Sequence, residues 1–127
     1  MREIKFRGKR IDNGEWVEGC YAFSKIPLMD GIDHIIIVDG LKPYNVDPDT
    51  VGQYTGLQDC NGKDIYEGDI YHQGDKNIRY VVVWADTGLI GKQLGTSSYA
   101  GLRHWRDRIE VIGNRYSNPE LLGEVRE

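Results

Sequence analysis

Apolar and polar residues alternate in short runs through the first part of this chain, and this spacing predicts strands. Residues 4–7 alternate with a period of two, which places one face of a strand toward a core. Asn13-Gly14 then supplies a hairpin turn, since both residues tolerate positive φ. Residues 16–23 resume a strand, so the pattern predicts a hairpin over residues 4–23.

Strands separated by Gly and Asx turns are also predicted through the rest of the chain. The β-branched run 35–38 predicts a buried strand, and the two prolines within 42–49 favour extended or turn structure. Loops are predicted at 24–34 and 95–104. Further strands are predicted at 51–54, at 78–84 and at 109–112. Ile65, Ile70 and Tyr71 flank a predicted acidic turn at 67–69, and a turn at 86–88 leads into residues 89–90.

A short helix is predicted near the end of the chain. Asn118 suits a helix cap, Pro119 suits the first helical position, and Glu120 favours the positive end of the helix dipole. The helix is predicted from Pro119 to about Val125.

The element pattern as a whole predicts a mainly β fold, β-rich and α+β at most. Closely spaced short strands favour a small barrel or a strongly bent antiparallel sheet, with an N-terminal hairpin and a short C-terminal helix. One domain is predicted over residues 1–127. Within it we expect an N-terminal hairpin and strands at 1–46, a barrel-like β region at 47–116 and the helix at 117–127.

Composition narrows the class of protein. The 127 residues are 39% hydrophobic and 28% charged, which excludes a disordered tail protein. The net charge of −4 makes whole-protein steering toward nucleic acid or an anionic membrane unexpected. Cys20 and Cys60 cannot form a disulfide framework, and with no secretory sequence they indicate reduced thiols in a cytoplasm. The longest apolar run, 35–38, is too short to span a bilayer, so no membrane partner is expected.

Candidate acids for catalysis fall into two groups that are close in sequence. The first is Asp47 with Asp49, and the second is Asp64, Glu67 and Asp69. General acid–base work or Mg²⁺ binding requires such carboxylates to converge in a sheltered cleft. Each group lies beside Gly, Pro or Asn, where Asp caps turns through its own side chain, so turn chemistry is expected.

The cysteines and histidines give no metal or nucleophile signature. Neither Cys-x-x-Cys nor His-x-x-x-His spacing occurs, and the three histidines are isolated from one another. Cys20 is predicted in a strand as a buried small hydrophobe, and Cys60 in an exposed turn. Ser97-Ser98 lacks the strained Gly-x-Ser-x-Gly elbow. No catalytic residue, no cofactor site and no metal site is therefore predicted.

Two basic segments are candidates for contact with nucleic acid. Lys5 and Arg7 lie with Lys9 on one face of the first predicted strand. The second segment interleaves arginines with an aromatic residue, the pattern that holds single strands by phosphate contact and base stacking. Its candidate residues are Arg103, Trp105, Arg106 and Arg108. The alternative is a solvated strand face and a loop in which Trp105 plugs the core.

Three stretches of the sequence resemble the YopX family of phage and prophage proteins. The first is residues 2–7. The second and most specific is residues 51–59, which read Val-Gly-Gln-Tyr-Thr-Gly-Leu-Gln-Asp, continuing through residues 61–70, which read Asn-Gly-Lys-Asp-Ile-Tyr-Glu-Gly-Asp-Ile. The third is residues 109–114 with residues 117–122. The resemblance implies a β-rich fold, a phage or prophage source and a bacterial cytoplasm. It brings no established activity and no agreed catalytic residues.

The matched motif also has a structural interpretation. Its glycines at 52, 56, 62 and 68 fall where turns with positive φ are predicted. Its larger apolar residues are then expected in the core: Tyr54, Leu57, Ile65, Tyr66 and Ile70.

Three functions follow as hypotheses. The first is a non-enzymatic protein-interaction module that binds a host or phage protein in the bacterial cytoplasm, through loops or sheet edges. Exposed edges also predict a homo-oligomer. The alternative is local nucleic-acid binding through residues 103–108 and the basic N-terminus. The further alternative is an enzyme whose site forms only in three dimensions.

Overall fold

The structure, a computed structural model, describes residues 4–24, 33–86 and 88–123. The chain divides into two compact units, residues 1–54 and 55–127, and the boundary falls within one strand. Strands dominate both units, so the prediction of a mainly β fold is confirmed. The further prediction of a single domain over 1–127 stays a prediction.

Unit 1 is an antiparallel sheet whose strands follow one another as hairpins. Its strands are β1 (Phe6–Lys9), β2 (Trp16–Ser24), β3 (Asp33–Val38), β4 (Lys42–Asn45) and the first residues of β5 (Gly52–Gln58). They lie in the order β4-β3-β2-β1-β5. The hairpin predicted over residues 4–23 is confirmed by the pairing of Phe6 with Gly19. The loop predicted at 24–34 is wrong at both ends, because Ser24 ends β2 and Asp33 begins β3, and residues 25–32 lie outside the described residues.

The end of β4 returns to the end of β1. Val46, fully buried, forms a bridge with Arg10, and Asp47 N donates to Lys9 O over 2.8 Å. A 3-10 helix (Pro48–Thr50) follows, and the Thr50 hydroxyl accepts from Lys9 N over 2.9 Å. A closed barrel, one of the two predicted alternatives, does not form; the strands build open antiparallel sheets.

Unit 2 contains a second antiparallel sheet with the order β10-β9-β8-β7-β11. Its strands are β7 (Asp69–His72), β8 (Arg79–Ala85), β9 (Gly88–Gln93), β10 (Tyr99–Ala100) and β11 (Glu110–Asn114), and β6 (Asp64–Tyr66) pairs with β5. The helices are α1 (Leu102–Trp105), a 3-10 helix (Arg106–Arg108) and α2 (Glu120–Gly123). None of the helices in the described ranges has the length and apolar character needed to cross a membrane.

The core of unit 2 joins the sheet to the helical segment between β10 and β11. Its buried members are Leu57, Ile65, Tyr71, Val82, Leu102 and Ile109. Tyr80, Leu89, Trp105 and Val111 pack against them and are partly buried. The prediction that the large apolar residues of the motif are buried is confirmed for all five, including Tyr54 in unit 1.

Two predictions about the motif and its surroundings need correction. Gly52 lies within β5 and lacks positive φ, whereas Gly56, Gly62 and Gly68 have φ values of 88°, 82° and 92°. Gly56 is also a strand residue, so only two of the four glycines lie in turns. The loop predicted at 95–104 is wrong in part, because it contains β10 and most of α1.

The predicted C-terminal helix is present but begins differently. Its first residue is Glu120, and Leu121 N donates to the backbone oxygen of Asn118 over 3.0 Å. The Asn118 side chain does not cap this helix; its Oδ1 accepts from Asn114 N over 3.1 Å. The predicted extension to Val125 lies outside the described residues.

Candidate functional site

The basic side chains of β1, and of Lys5 just before it, lie over aromatic rings. Lys5 Nζ lies 4.8 Å from the centre of the Tyr54 ring, and Arg7 Cζ lies 4.8 Å from that of Trp16. Lys9 Nζ lies 5.9 Å from the same Trp16 ring. Arg7 is only 8% exposed. The first of the two predicted basic segments is therefore engaged within unit 1 by cation–π contacts.

Arg10 shows the same kind of contact combined with a carboxylate. Its Cζ lies 4.4 Å from the centre of the Tyr44 ring, and its guanidinium donates to both oxygens of Asp12 over 3.0 and 2.7 Å. The hydrogen bonds between them raise the pKa of Arg10 and lower the pKa of Asp12. A ring and a carboxylate together thus orient one guanidinium on this surface.

The second predicted basic segment forms α1 and the 3-10 helix that follows it. Leu102 and Trp105 lie three positions apart and face the core of unit 2, which leaves Trp105 half-buried. The remaining charged residues of this segment are exposed: Arg103, Arg106, Asp107 and Arg108. The structure therefore separates the predicted candidates, with Trp105 packed on the core and the arginines in solvent.

Trp105 also forms one wall of a small cavity of about 220 Å³. We call this cavity the Tyr80–Trp105 slot. Its lining residues are Gln73, Asp75, Ile78, Tyr80 and Trp105. The turn between β7 and β8 supplies the polar side, and β8 and α1 supply the aromatic side.

The polar side of the slot consists of Gln73 and the Asp75 carboxylate. Gln73 Nε2 donates to the Tyr80 hydroxyl over 3.4 Å, while Gln73 Oε1 is buried and has no hydrogen-bond partner among the described residues. Asp75 Oδ1 accepts from Asn77 N over 2.9 Å, which fixes the carboxylate in the turn. Tyr80 stacks on the buried Tyr71 with ring centres 5.2 Å apart, so the wall is rigid.

A buried histidine positions the turn that carries Gln73 and Asp75. Gly74 N donates to Nδ1 of His72 over 3.0 Å, so the neutral ring carries its proton on Nε2. That Nε2 lies 3.0 Å from Glu110 Oε1, off the direction of a hydrogen bond. Sequence reasoning did not single out His72 for this role, since its partners come from β11 and from the turn.

In the first group of predicted acids, Asp47 caps a turn. Its Oδ1 accepts from Asp49 N over 3.0 Å at the start of the 3-10 helix of unit 1, so the prediction of turn chemistry is confirmed for Asp47. In the second group, Asp64 Oδ1 accepts from a side chain, Gln58 Nε2, over 3.1 Å.

The acidic turn between β6 and β7 is also built into the fold. Asp69 Oδ2 accepts from Tyr66 N over 2.8 Å, and Asp69 is 1% exposed. Glu67 Oε1 accepts from Nε1 of the exposed Trp84 over 3.1 Å. Within the described ranges, no group of three or more His, Cys, Asp or Glu side chains is arranged to hold a metal ion.

The cysteines differ from the prediction in one case. Cys20 lies in β2, as predicted, but it is exposed, so the prediction of a buried small hydrophobe is wrong. Alternation along the strand decides this, because the neighbouring residues at 19 and 21 are the less exposed ones. Cys60 is exposed in its turn, as predicted.

Comparisons with known proteins identify a matching family and a solved structure with a similar fold. The sequence model of the YopX family, described as YopX protein, matches residues 5–123. The crystal structure of protein EF1440 from Enterococcus faecalis aligns with a TM-score of 0.60 at 22% identity, over 96% of this chain and 99% of that one. At this identity the likeness shows the fold alone. No curated protein sequence matches the chain.

Proposed function

This chain belongs to the YopX family, and we propose that it is a non-enzymatic protein-interaction module. The observation that carries the proposal is the Tyr80–Trp105 slot, a small cavity with rigid aromatic walls and polar groups on one side. Protein interfaces concentrate their binding energy where one anchor side chain enters such a pocket.

The size of the slot favours a single side chain as its occupant. A volume of about 220 Å³ is smaller than the cavities of roughly 300–1,000 Å³ that enclose small-molecule ligands. Tyr80 is fixed by Tyr71 and Trp105 is fixed by the core, so little side-chain entropy is lost when an anchor binds.

The sheet edges argue for side-chain contacts over strand addition. In unit 2, β10 has only two residues, and β11 carries a bulge between Val111 and Gly113. In unit 1, β4 contains Pro43, which cannot donate a backbone hydrogen bond. Short, bulged and proline-containing edges resist pairing with another strand. The expectation of a homo-oligomer stays a prediction.

The family suggests the setting of this interaction. We place the protein in the cytoplasm of a bacterial host, as a phage or prophage product. Its partner would be a host or phage protein, and no membrane is involved in the proposal.

Nucleic-acid binding is the second candidate function, supported by one observation. Arg103, Arg106 and Arg108 are exposed, and none of them has an ion-pair partner within the described ranges. The net charge of −4 and the engagement of Lys5 and Arg7 on aromatic rings weigh against this function. Such binding would therefore rest on residues 103–108 alone.

Affinity capture of the tagged full chain from bacterial lysate, with and without nuclease, tests the proposal. The wild type is compared with Ile78→Trp, which fills the slot, and with Tyr99→Ala, which removes an exposed ring outside it. We expect a stoichiometric protein that survives nuclease, is retained by Tyr99→Ala and is lost with Ile78→Trp. Partners that are lost after nuclease treatment would favour nucleic-acid binding over protein interaction. Equal capture by all three chains would show that the slot is not the binding site.

A further inference from the structure

We propose that the Tyr80–Trp105 slot takes an arginine side chain from a basic segment of the partner protein. This inference rests on the proposed function and names the chemistry of the occupant. Its starting point is the combination of two aromatic residues and a carboxylate around one cavity.

The charge of the lining favours a cation. Asp75 is the charged member of the lining, and its Oδ1 is held toward the turn by Asn77 N. Gln73 lines the slot without a charge, so the lining itself carries a single negative charge. A group that brings N–H donors and positive charge would complement this carboxylate.

The aromatic walls favour arginine among the cations. A planar guanidinium stacks on Trp and Tyr rings, is more weakly hydrated than an ammonium, and presents several donors in one plane. Those donors can pair with the Asp75 carboxylate while the guanidinium plane lies on a ring. A lysine ammonium would bring charge without the planar contact.

Unit 1 of this protein already contains the same recognition in its own chain. The Arg10 guanidinium lies over the Tyr44 ring at 4.4 Å and donates to both oxygens of Asp12. The Tyr80–Trp105 slot offers a ring and a carboxylate of the same kind, with no arginine in its lining. The slot thus offers an arginine of a partner an aromatic ring and a carboxylate, as Tyr44 and Asp12 do for Arg10.

The exposed arginines of α1 and the following 3-10 helix distinguish an arginine ligand from nucleic acid, because their removal should affect the two affinities in opposite directions. Arg103, Arg106 and Arg108 are exposed and do not line the slot, so their positive charges can only repel a cationic occupant. Their neutralisation should leave arginine binding unchanged or strengthen it. If the slot served nucleic acid, the same change should weaken binding.

The test is an NMR titration of the ¹⁵N-labelled full chain with N-acetyl-arginine methylamide. The neutral isostere N-acetyl-citrulline methylamide and a single-stranded oligonucleotide serve as the comparison probes. We expect the arginine probe to shift the Trp105 indole and the amides of residues 73–80. The citrulline probe should bind roughly tenfold more weakly, since it loses the charge-assisted contacts.

Two variants complete the test. Asp75→Asn keeps the size of the side chain and its hydrogen bond to Asn77, and it should weaken the arginine probe roughly tenfold while leaving the citrulline probe unchanged. The triple variant R103Q/R106Q/R108Q should bind the arginine probe at least as tightly as the wild type.

The outcomes separate this inference from the proposed function. Equal binding of the two small probes, or no effect of Asp75→Asn, would overturn the arginine inference. Tighter binding of the oligonucleotide that is lost in the triple variant would overturn it as well.

The interaction function survives a failure of the arginine inference if capture of a protein is still lost with Ile78→Trp. If capture fails while the arginine probe behaves as expected, the interaction function fails by itself.

Discussion

The hydroxyl of Tyr71 occupies the space that a side chain at Gly91 would need. A Cβ added at Gly91 would overlap the Tyr71 hydroxyl and lie 2.9 Å from its Cζ. Tyr71 is fully buried in β7, and Gly91 lies in β9, paired with Val82 of the strand between them. Because Gly91 has no Cβ, the Tyr71 side chain can extend from β7 across β8 to β9.

Gly91→Ala should destabilise the protein by about 1–3 kcal/mol, because the Tyr71 ring cannot move away within a packed core. Gly101→Ala is the matched control, since a Cβ there meets no atom within 4 Å. Chemical denaturation of both variants measures the difference. Adding Tyr71→Phe to Gly91→Ala should recover part of the loss, and no recovery would contradict the overlap as its cause.

Tyr71→Phe alone should leave the free energy of unfolding unchanged or raise it by up to about 1 kcal/mol. The Tyr71 hydroxyl is buried with no hydrogen-bond partner among the described residues, so its removal abolishes a desolvation cost. A large loss of stability would show that the hydroxyl makes a contact that holds the core.

The same substitution should change the response of the protein to alkali. Burial, and to a smaller extent the charge of Tyr80, raise the pKa of Tyr71 above its ordinary value of 10.0. Above pH 10.0 the folded state keeps a proton that the unfolded state releases. The contribution of Tyr71 to the free energy of unfolding is therefore fully present below pH 10.0 and is lost as the pH rises through the folded pKa. Above pH 10, the free energy of unfolding should fall less steeply with pH for Tyr71→Phe than for the wild type. Denaturation series at several pH values measure this.

Asp59 ties the turn between β5 and β6 to β11. Its Oδ1 accepts from Asn61 N and Lys63 N at 2.9 Å each, and its Oδ2 accepts from Val111 N at 3.0 Å. Asp59→Ala should cost about 2–4 kcal/mol, because it leaves backbone donors unpaired in unit 2. Thermal denaturation checks this against Asp107→Ala, an exposed acid whose replacement should change little.

Arg7→Ala should destabilise unit 1 by about 1–2 kcal/mol, since Arg7 is buried over the Trp16 ring. Arg103→Ala, at an exposed position, should leave stability unchanged. The comparison distinguishes a structural arginine from one that is available for binding. Similar stabilities of the two variants would return Arg7 to the candidates for a functional role.

The slot shows where sequence reasoning reaches its limit. Trp105 and its neighbouring arginines could be marked from their interleaved spacing, and Trp105 does line the slot. Gln73 and Asp75 could not be connected with it, because they lie about thirty positions earlier in a turn that reads as ordinary surface. The role of His72 in positioning this turn could not be predicted either, because its neighbour Glu110 lies far along the chain in β11.

Local patterns determined much of the architecture before any packing was known. Alternation and Asn-Gly turns sufficed for the first hairpin, and the motif residues Ile65, Tyr66 and Ile70 could be assigned to the core. These features depend on neighbours within a few positions, which the sequence contains directly. Tertiary structure alone decided that Cys20 is exposed, that the basic face of β1 stacks on Trp16, and that Trp105 meets Tyr80 around one cavity. Each of these outcomes depends on which strands pair and in what register, and pairing is settled by the burial of the whole core.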